Sequence, residues 1–102
     1  MERIDHLKEM LKEEPTDSFL HYAIGLELVK NKNYKEAITC FQNVITIDEN
    51  YIAAYYQLGI IFIEIDIVDV AKTYIETGME KAVLKKDFKA KGELGELLDG
   101  IG

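Results

Sequence analysis

The sequence is poor in the residues that build compact chemical sites. It has one cysteine, Cys40, so no internal disulfide can form. Its two histidines, His6 and His21, are too few for most zinc ligand sets. Tryptophan is absent and Pro15 is the lone proline, so helix breakers are rare. Positive charge is also scarce. Twelve Lys and Arg stand against nineteen Asp and Glu, a net charge of −7. Residues 1–51 carry −4 and the remainder −3, so neither end is a basic arm. A protein that tracks nucleic-acid phosphates needs the opposite sign, and no nucleic-acid partner is expected. Long apolar runs are missing too. The window Ile60 to Val70 is broken by Glu64, Asp66 and Asp69, well short of the roughly 20 residues that cross a bilayer. Met1 is followed by Glu2, Arg3 and Asp5 rather than by an apolar signal segment. A cytoplasmic protein with no membrane partner is the expectation.

What is present points to helices. At 48% apolar and 30% charged, the 102 residues suit one folded domain or a short repeat array. Ile4, Leu7, Met10 and Leu11 recur at helical spacing until Pro15 pushes Glu14 out of the α region. Thr16 is the expected N-cap of a second helix reaching Lys30. Asn31, Lys32 and Asn33 form a polar turn. Asn33 with Glu36 reads as a capping box for a third helix carrying Ala37, Phe41 and Val44.

One stretch conflicts with this pattern. From Ile61 to Val70, β-branched residues alternate with acids closely enough to read as a strand. Internal repetition overrules that reading. At a lag of 34 residues, Gly25 falls on Gly59, Ala37 on Ala71, Tyr22 on Tyr56 and Thr39 on Thr73. Ile24 aligns with Leu58, Leu28 with Phe62, Phe41 with Ile75, and Thr16 with Asn50. Small residues at 25 and 37 would let two helices of a hairpin approach closely. Gly78 sits inside a helical pattern at a cost of about 1 kcal/mol relative to Ala. A close approach by a neighbouring helix would offset that cost.

The copies His21-x2-Ile24-Gly25-x2-Leu28 with Ala37-x3-Phe41, and Tyr55-x2-Leu58-Gly59-x2-Phe62 with Ala71-x3-Ile75, resemble the tetratricopeptide repeat, TPR. His21 replaces an aromatic residue, Glu49 replaces the usual Pro, and the turn at Asp66 lacks Gly. The resemblance implies an all-α fold, a right-handed superhelical array of antiparallel helix pairs with about six helices. A half-repeat helix is expected over 3–13, repeats over 18–50 and 52–84, and a capping helix over 87–99, within one domain. The terminal helices would act as caps, since about three repeats are ordinarily needed to bury a continuous core.

The resemblance also implies a non-catalytic protein-interaction module without a cofactor. The first helix of each repeat would line a concave surface for a protein or peptide. The expected binding residues are Phe19, Tyr22, Leu26 and Val29, then Tyr56, Ile60 and Ile63, with Leu94 from the last helix. Ala53, Ala90 and Leu97 fall on the same side. Such helices are apolar nearly all round, which calls for burial on both sides. The chain's own terminal helices, a second copy in a homodimer, or a partner's amphipathic helix would each supply it. The family's carboxylate clamp of Lys, Asn and Arg, which holds acidic chaperone tails, has no counterpart. Tyr22, Leu26, Tyr56 and Ile60 occupy its place.

Other chemistry finds little support. His6 lies among Asp5 and Glu9 on a charged helix, His21 takes a core packing position, and Cys40 has no assignable base. Glu64, Asp66 and Asp69 form an acidic turn, the sole candidate for a metal or acid site, without the spacing of an EF-hand. A purely structural homo-oligomer is the alternative function. Lys81, Lys85, Lys86, Lys89 and Lys91 form the one basic cluster, attributed to the dipole of a helix C-terminus, with an anion or acidic-partner contact as the other reading.

Overall fold

The computed structural model describes residues 2–101. Among them every regular element is a helix: α1 Glu2–Glu13, α2 Ser18–Lys30, α3 Tyr34–Ile47, α4 Ile52–Glu64, α5 Val68–Leu84 and α6 Phe88–Ile101. They fall into two compact units, residues 1–49 and 50–102. The β-like pattern over 61–70 is the end of α4, a turn, and the start of α5. Tertiary burial of Ile61 and Ala71 overrides local strand propensity there.

In the first unit α2 packs against both α1 and α3. α1 offers Ile4 and Leu7 to this core, and α3 offers Ala37, Phe41 and Val44, all three fully buried. Between them α2 buries Leu20, Ala23, Ile24, Gly25 and Leu28, so it has little polar flank. Gly25 sets the spacing: a Cβ there would lie 2.7 Å from the Phe41 ring carbons Cε1 and Cζ. Asp17, not Thr16, caps α2, its Oδ1 accepting from the Leu20 N–H at 3.2 Å. The expected capping box does not form. Asn33 makes no side-chain bond to the helix backbone, and its Nδ2 donates instead to Glu36 Oε1 at 2.7 Å.

In the second unit α4, α5 and α6 all touch one another. Ala71, Ile75 and Leu94 form a buried cluster, with Ile52, Tyr56, Phe62, Ile63, Met79, Leu97, Leu98 and Ile101 packed against it. Gly59 lies against Ile75 Cγ1 as Gly25 lies against Phe41, again with 2.7 Å for an added Cβ. Gly78 is a helix-interior glycine justified by contact: its Cβ would meet Tyr55 Cβ at 2.8 Å and Leu94 Cδ1 at 3.1 Å. Tyr51, one residue beyond Asn50, stands at the N-cap of α4.

The C-terminal ends of α2, α4 and α5 share one stop. In each, a residue with positive φ follows the C-cap: Lys32 at 59°, Asp66 at 64° and Lys86 at 59°. The N–H groups of Asn33, Ile67 and Asp87 reach back to the carbonyls of Leu28, Phe62 and Ala82 at 2.8–2.9 Å. Those of Lys32, Asp66 and Lys86 reach Val29, Ile63 and Val83. This is the Schellman pattern, which satisfies the last helix carbonyls and turns the chain sharply.

Candidate functional site

The residues expected to bind a partner divide according to the neighbours their helices found. On α2, Phe19 is 60% exposed, and Leu26 and Val29 are half-buried on a helix with few polar side chains. Tyr22 turns toward α3, meeting the Phe41 ring edge-to-face with centroids 5.5 Å apart at 61°. On α4, Ile60 is half-buried and Ala53 exposed, whereas Tyr56 and Ile63 pack against the Ala71–Ile75–Leu94 cluster. Leu94 is 1% exposed. It is a core residue of the second unit and offers no surface, which corrects its place on an open face. The cause is the packing of α6 against both α4 and α5, which turns Leu94 inward.

The open apolar surface thus differs between the two units. In the first it runs along α2 from Phe19 to Val29. Charges at its border are held by Glu27, whose carboxylate accepts from Arg3 Nε at 2.9 Å and lies 3.7 Å from Lys30 Nζ. This link from α1 to α2 spans 24 residues, so no local spacing pattern marks it in the sequence. In the second unit Phe62 stacks on Tyr74 with centroids 5.8 Å apart and 16° between planes, tying α4 to α5.

A groove also lies on the first unit. Ile24, Leu28, Thr39 and Cys40 line an open groove of about 420 Å³ whose other lining residues are Lys8, Lys35 and Glu36. Three helices contribute to it, so it too has no local signature. Burial chiefly, and then the negative charge of Glu36, raise the Cys40 thiol pKa above its usual range, with Lys8 opposing. A raised pKa keeps the thiol protonated and poorly nucleophilic at neutral pH.

His21 is half-buried rather than a core residue, and its Nε2 donates to the Pro15 carbonyl at 2.8 Å, pinning the α1–α2 turn. The N–H must be on Nε2, because a carbonyl oxygen only accepts. His6 is exposed. Glu64, Asp66 and Asp69 are exposed, and no group of three His, Cys, Asp or Glu among the described residues is arranged to hold a metal ion. Among those residues no helix is long and apolar enough to cross a membrane.

Comparison with known proteins agrees with this architecture. A family model described as TPR repeat matches residues 25–65. The solution structure of a tetratricopeptide repeat domain protein from Salinibacter ruber is 29% identical with a TM-score of 0.80. That match covers 85% of this chain and 88% of the other. The TPR2B domain of yeast Sti1, solved in complex with pHsp70, superposes with a TM-score of 0.90 at 20% identity. It covers 96% of this chain and 78% of the other. MamA gives 0.80 at 24% identity over 82% of this chain, which spans 49% of MamA. Among curated proteins no sequence matches significantly. The six helices, the repeated glycine contacts and these likenesses together make this a TPR-like protein.

Proposed function

We propose that the protein is a non-catalytic interaction module that presents the apolar side of its first-of-pair helices to a partner's amphipathic helix or peptide, or to a second copy of itself. The observation that carries this reading is the open flank of α2. Phe19 is 60% exposed beside half-buried Leu26 and Val29, on a helix whose opposite side is already filled by α1 and α3. The Sti1 relative, solved with pHsp70, supports a peptide or protein as ligand class. The side chains support an apolar ligand rather than an acidic tail, since Tyr22, Leu26, Tyr56 and Ile60 stand where a carboxylate clamp needs cations. The capping role of α1 and α6, and a cytoplasmic setting, are part of the same reading.

Light scattering at several concentrations, followed by photo-crosslinking from a benzoylphenylalanine at position 19, tests it. A self-adduct that grows with concentration supports assembly, and a heterologous adduct abolished by Leu26→Glu supports a partner. A monomer without an adduct at position 19 would overturn the reading.

A further inference from the structure

The turn between α5 and α6 carries a chemistry that its backbone does not require. Residues 81–91 hold five lysines and one acid, Asp87, while the other 91 residues hold seven basic against eighteen acidic side chains. Leu84 is 76% exposed, Phe88 64% and Val83 45%, the first two being the most exposed large apolar residues described. Lys85, Lys86, Lys89 and Lys91 are exposed and make no ion pair among the described residues.

Helix-terminus electrostatics account for only part of this cluster. Lys81 lies in the last turn of α5, where a cation complements the dipole. Lys89 and Lys91 lie at the start of α6, the positive end of its dipole, where cations are disfavoured. Nor does the turn need them. The same Schellman geometry closes α2 with Asn31, Lys32 and Asn33, and α4 with Ile65, Asp66 and Ile67. The backbone is preorganised, with Asp87 N–H on the Ala82 carbonyl at 2.8 Å and Asp87 Oδ1 accepting from Ala90 N–H at 3.1 Å.

We infer that this tip docks on an anionic lipid surface, with Leu84 and Phe88 entering the interface and Lys85, Lys86 and Lys89 meeting phosphate headgroups. Projecting apolar side chains flanked by lysines are the signature of interfacial binding, in which the long lysine stems reach outward while the apolar tips go in. A fluid interface accepts such projections without a matching pocket, which a folded acidic partner would have to supply. Asp87 lies within the tip, engaged with the Ala90 N–H, and Glu80 and Glu93 flank it in sequence on α5 and α6, so five lysines stand against three acids over residues 80–93.

The absence of tryptophan makes the test direct. Phe88→Trp provides a single tryptophan, excited at the red edge where the six tyrosines do not absorb, to be titrated with vesicles of phosphatidylcholine alone and with 30% phosphatidylserine. A blue shift with the anionic vesicles only, fading as salt rises, is expected. Lys85→Glu with Lys89→Glu should weaken binding at least tenfold, since each lysine is worth about fivefold near such a surface. In the otherwise unaltered chain, Leu84→Ser with Phe88→Ser should abolish sedimentation with those vesicles while the circular dichroism stays helical. Three results would each overturn the inference. They are no anionic-vesicle binding, equal binding to neutral vesicles, and a concentration-dependent dimer lost in the serine variant without any vesicle binding, which would assign the tip to a second copy.

Discussion

Gly25 leaves its place to the ring of Phe41, and a methyl group added at residue 25 would lie 2.7 Å from two ring carbons. Helix propensity favours Ala over Gly by about 1 kcal/mol, so the sign of a substitution depends on whether the contact can give. Phe41 is fully buried and cannot swing aside. Gly25→Ala should therefore lower stability by about 1–3 kcal/mol, as overpacked cores do. Gly59→Ala against Ile75 should do the same. Urea unfolding of both variants checks the sign.

Gly92 provides the contrast. It is a helical position in α6 with nothing within 4 Å of an added Cβ. Gly92→Ala should stabilise by about 0.5–1 kcal/mol, raising Tm by a few degrees. An unchanged or lower Tm would mean that the α6 backbone is not helical there in solution.

The turn residues with positive φ point the other way. Lys32 and Lys86 occupy a region that L-residues enter at a cost of about 1–2 kcal/mol, partly offset by their lower unfolded-state entropy relative to Gly. Lys32→Gly should stabilise by several tenths of a kcal/mol. Asp66→Gly should gain less, because Asp tolerates the left-handed region better than Lys. Differential scanning calorimetry of the two variants ranks them.

Glu27 accepts charge from two sides, but Arg3 is 63% exposed and Lys30 71%. Solvent screening therefore limits the Arg3–Glu27 coupling to about 1 kcal/mol or less. A double-mutant cycle with Arg3→Ala and Glu27→Ala should show that value at low salt and lose much of it at 0.5 M salt, a concentration of about 4 Å Debye length.

Cys40 gives a pH signature. Its thiol pKa is raised in the folded state, so the unfolded chain loses its proton first as pH rises. The associated stability is fully present at neutral pH and declines as pH climbs through the unfolded thiol value of about 8.5. Reaction with a disulfide reagent should correspondingly be slower than that of an unfolded cysteine peptide at pH 8, with its inflection at higher pH. A fast reaction at neutral pH would show that the Glu36 and burial effects are absent.

The helical architecture was legible because a 34-residue lag brings Gly25 with Phe41, and Gly59 with Ile75, into matching contacts. That periodicity outweighed the β-like run at Ile61–Val70, since a repeat reports on shared packing and propensity reports only on the local chain. Cap positions were not legible, because Thr16 and Asp17 are both competent and only the backbone angles choose between them. The Schellman stops were equally hidden, as none of the three left-handed residues is glycine.

The sequence by itself determined the repeat, the helix pairs and the surplus of apolar side chains on the first helix of each pair. These follow from the order of residue types along the chain. Tertiary structure decided which of those side chains remain available. α6 folds onto α4 and α5 and takes Leu94 into the second unit's core, with Tyr56 and Ile63 partly buried against it, while Phe19 stays open on α2. It also made a groove at Cys40 and a basic apolar tip at Leu84 and Phe88. Burial is a property of neighbours, and neighbours far apart in sequence are assigned only when the helices pack.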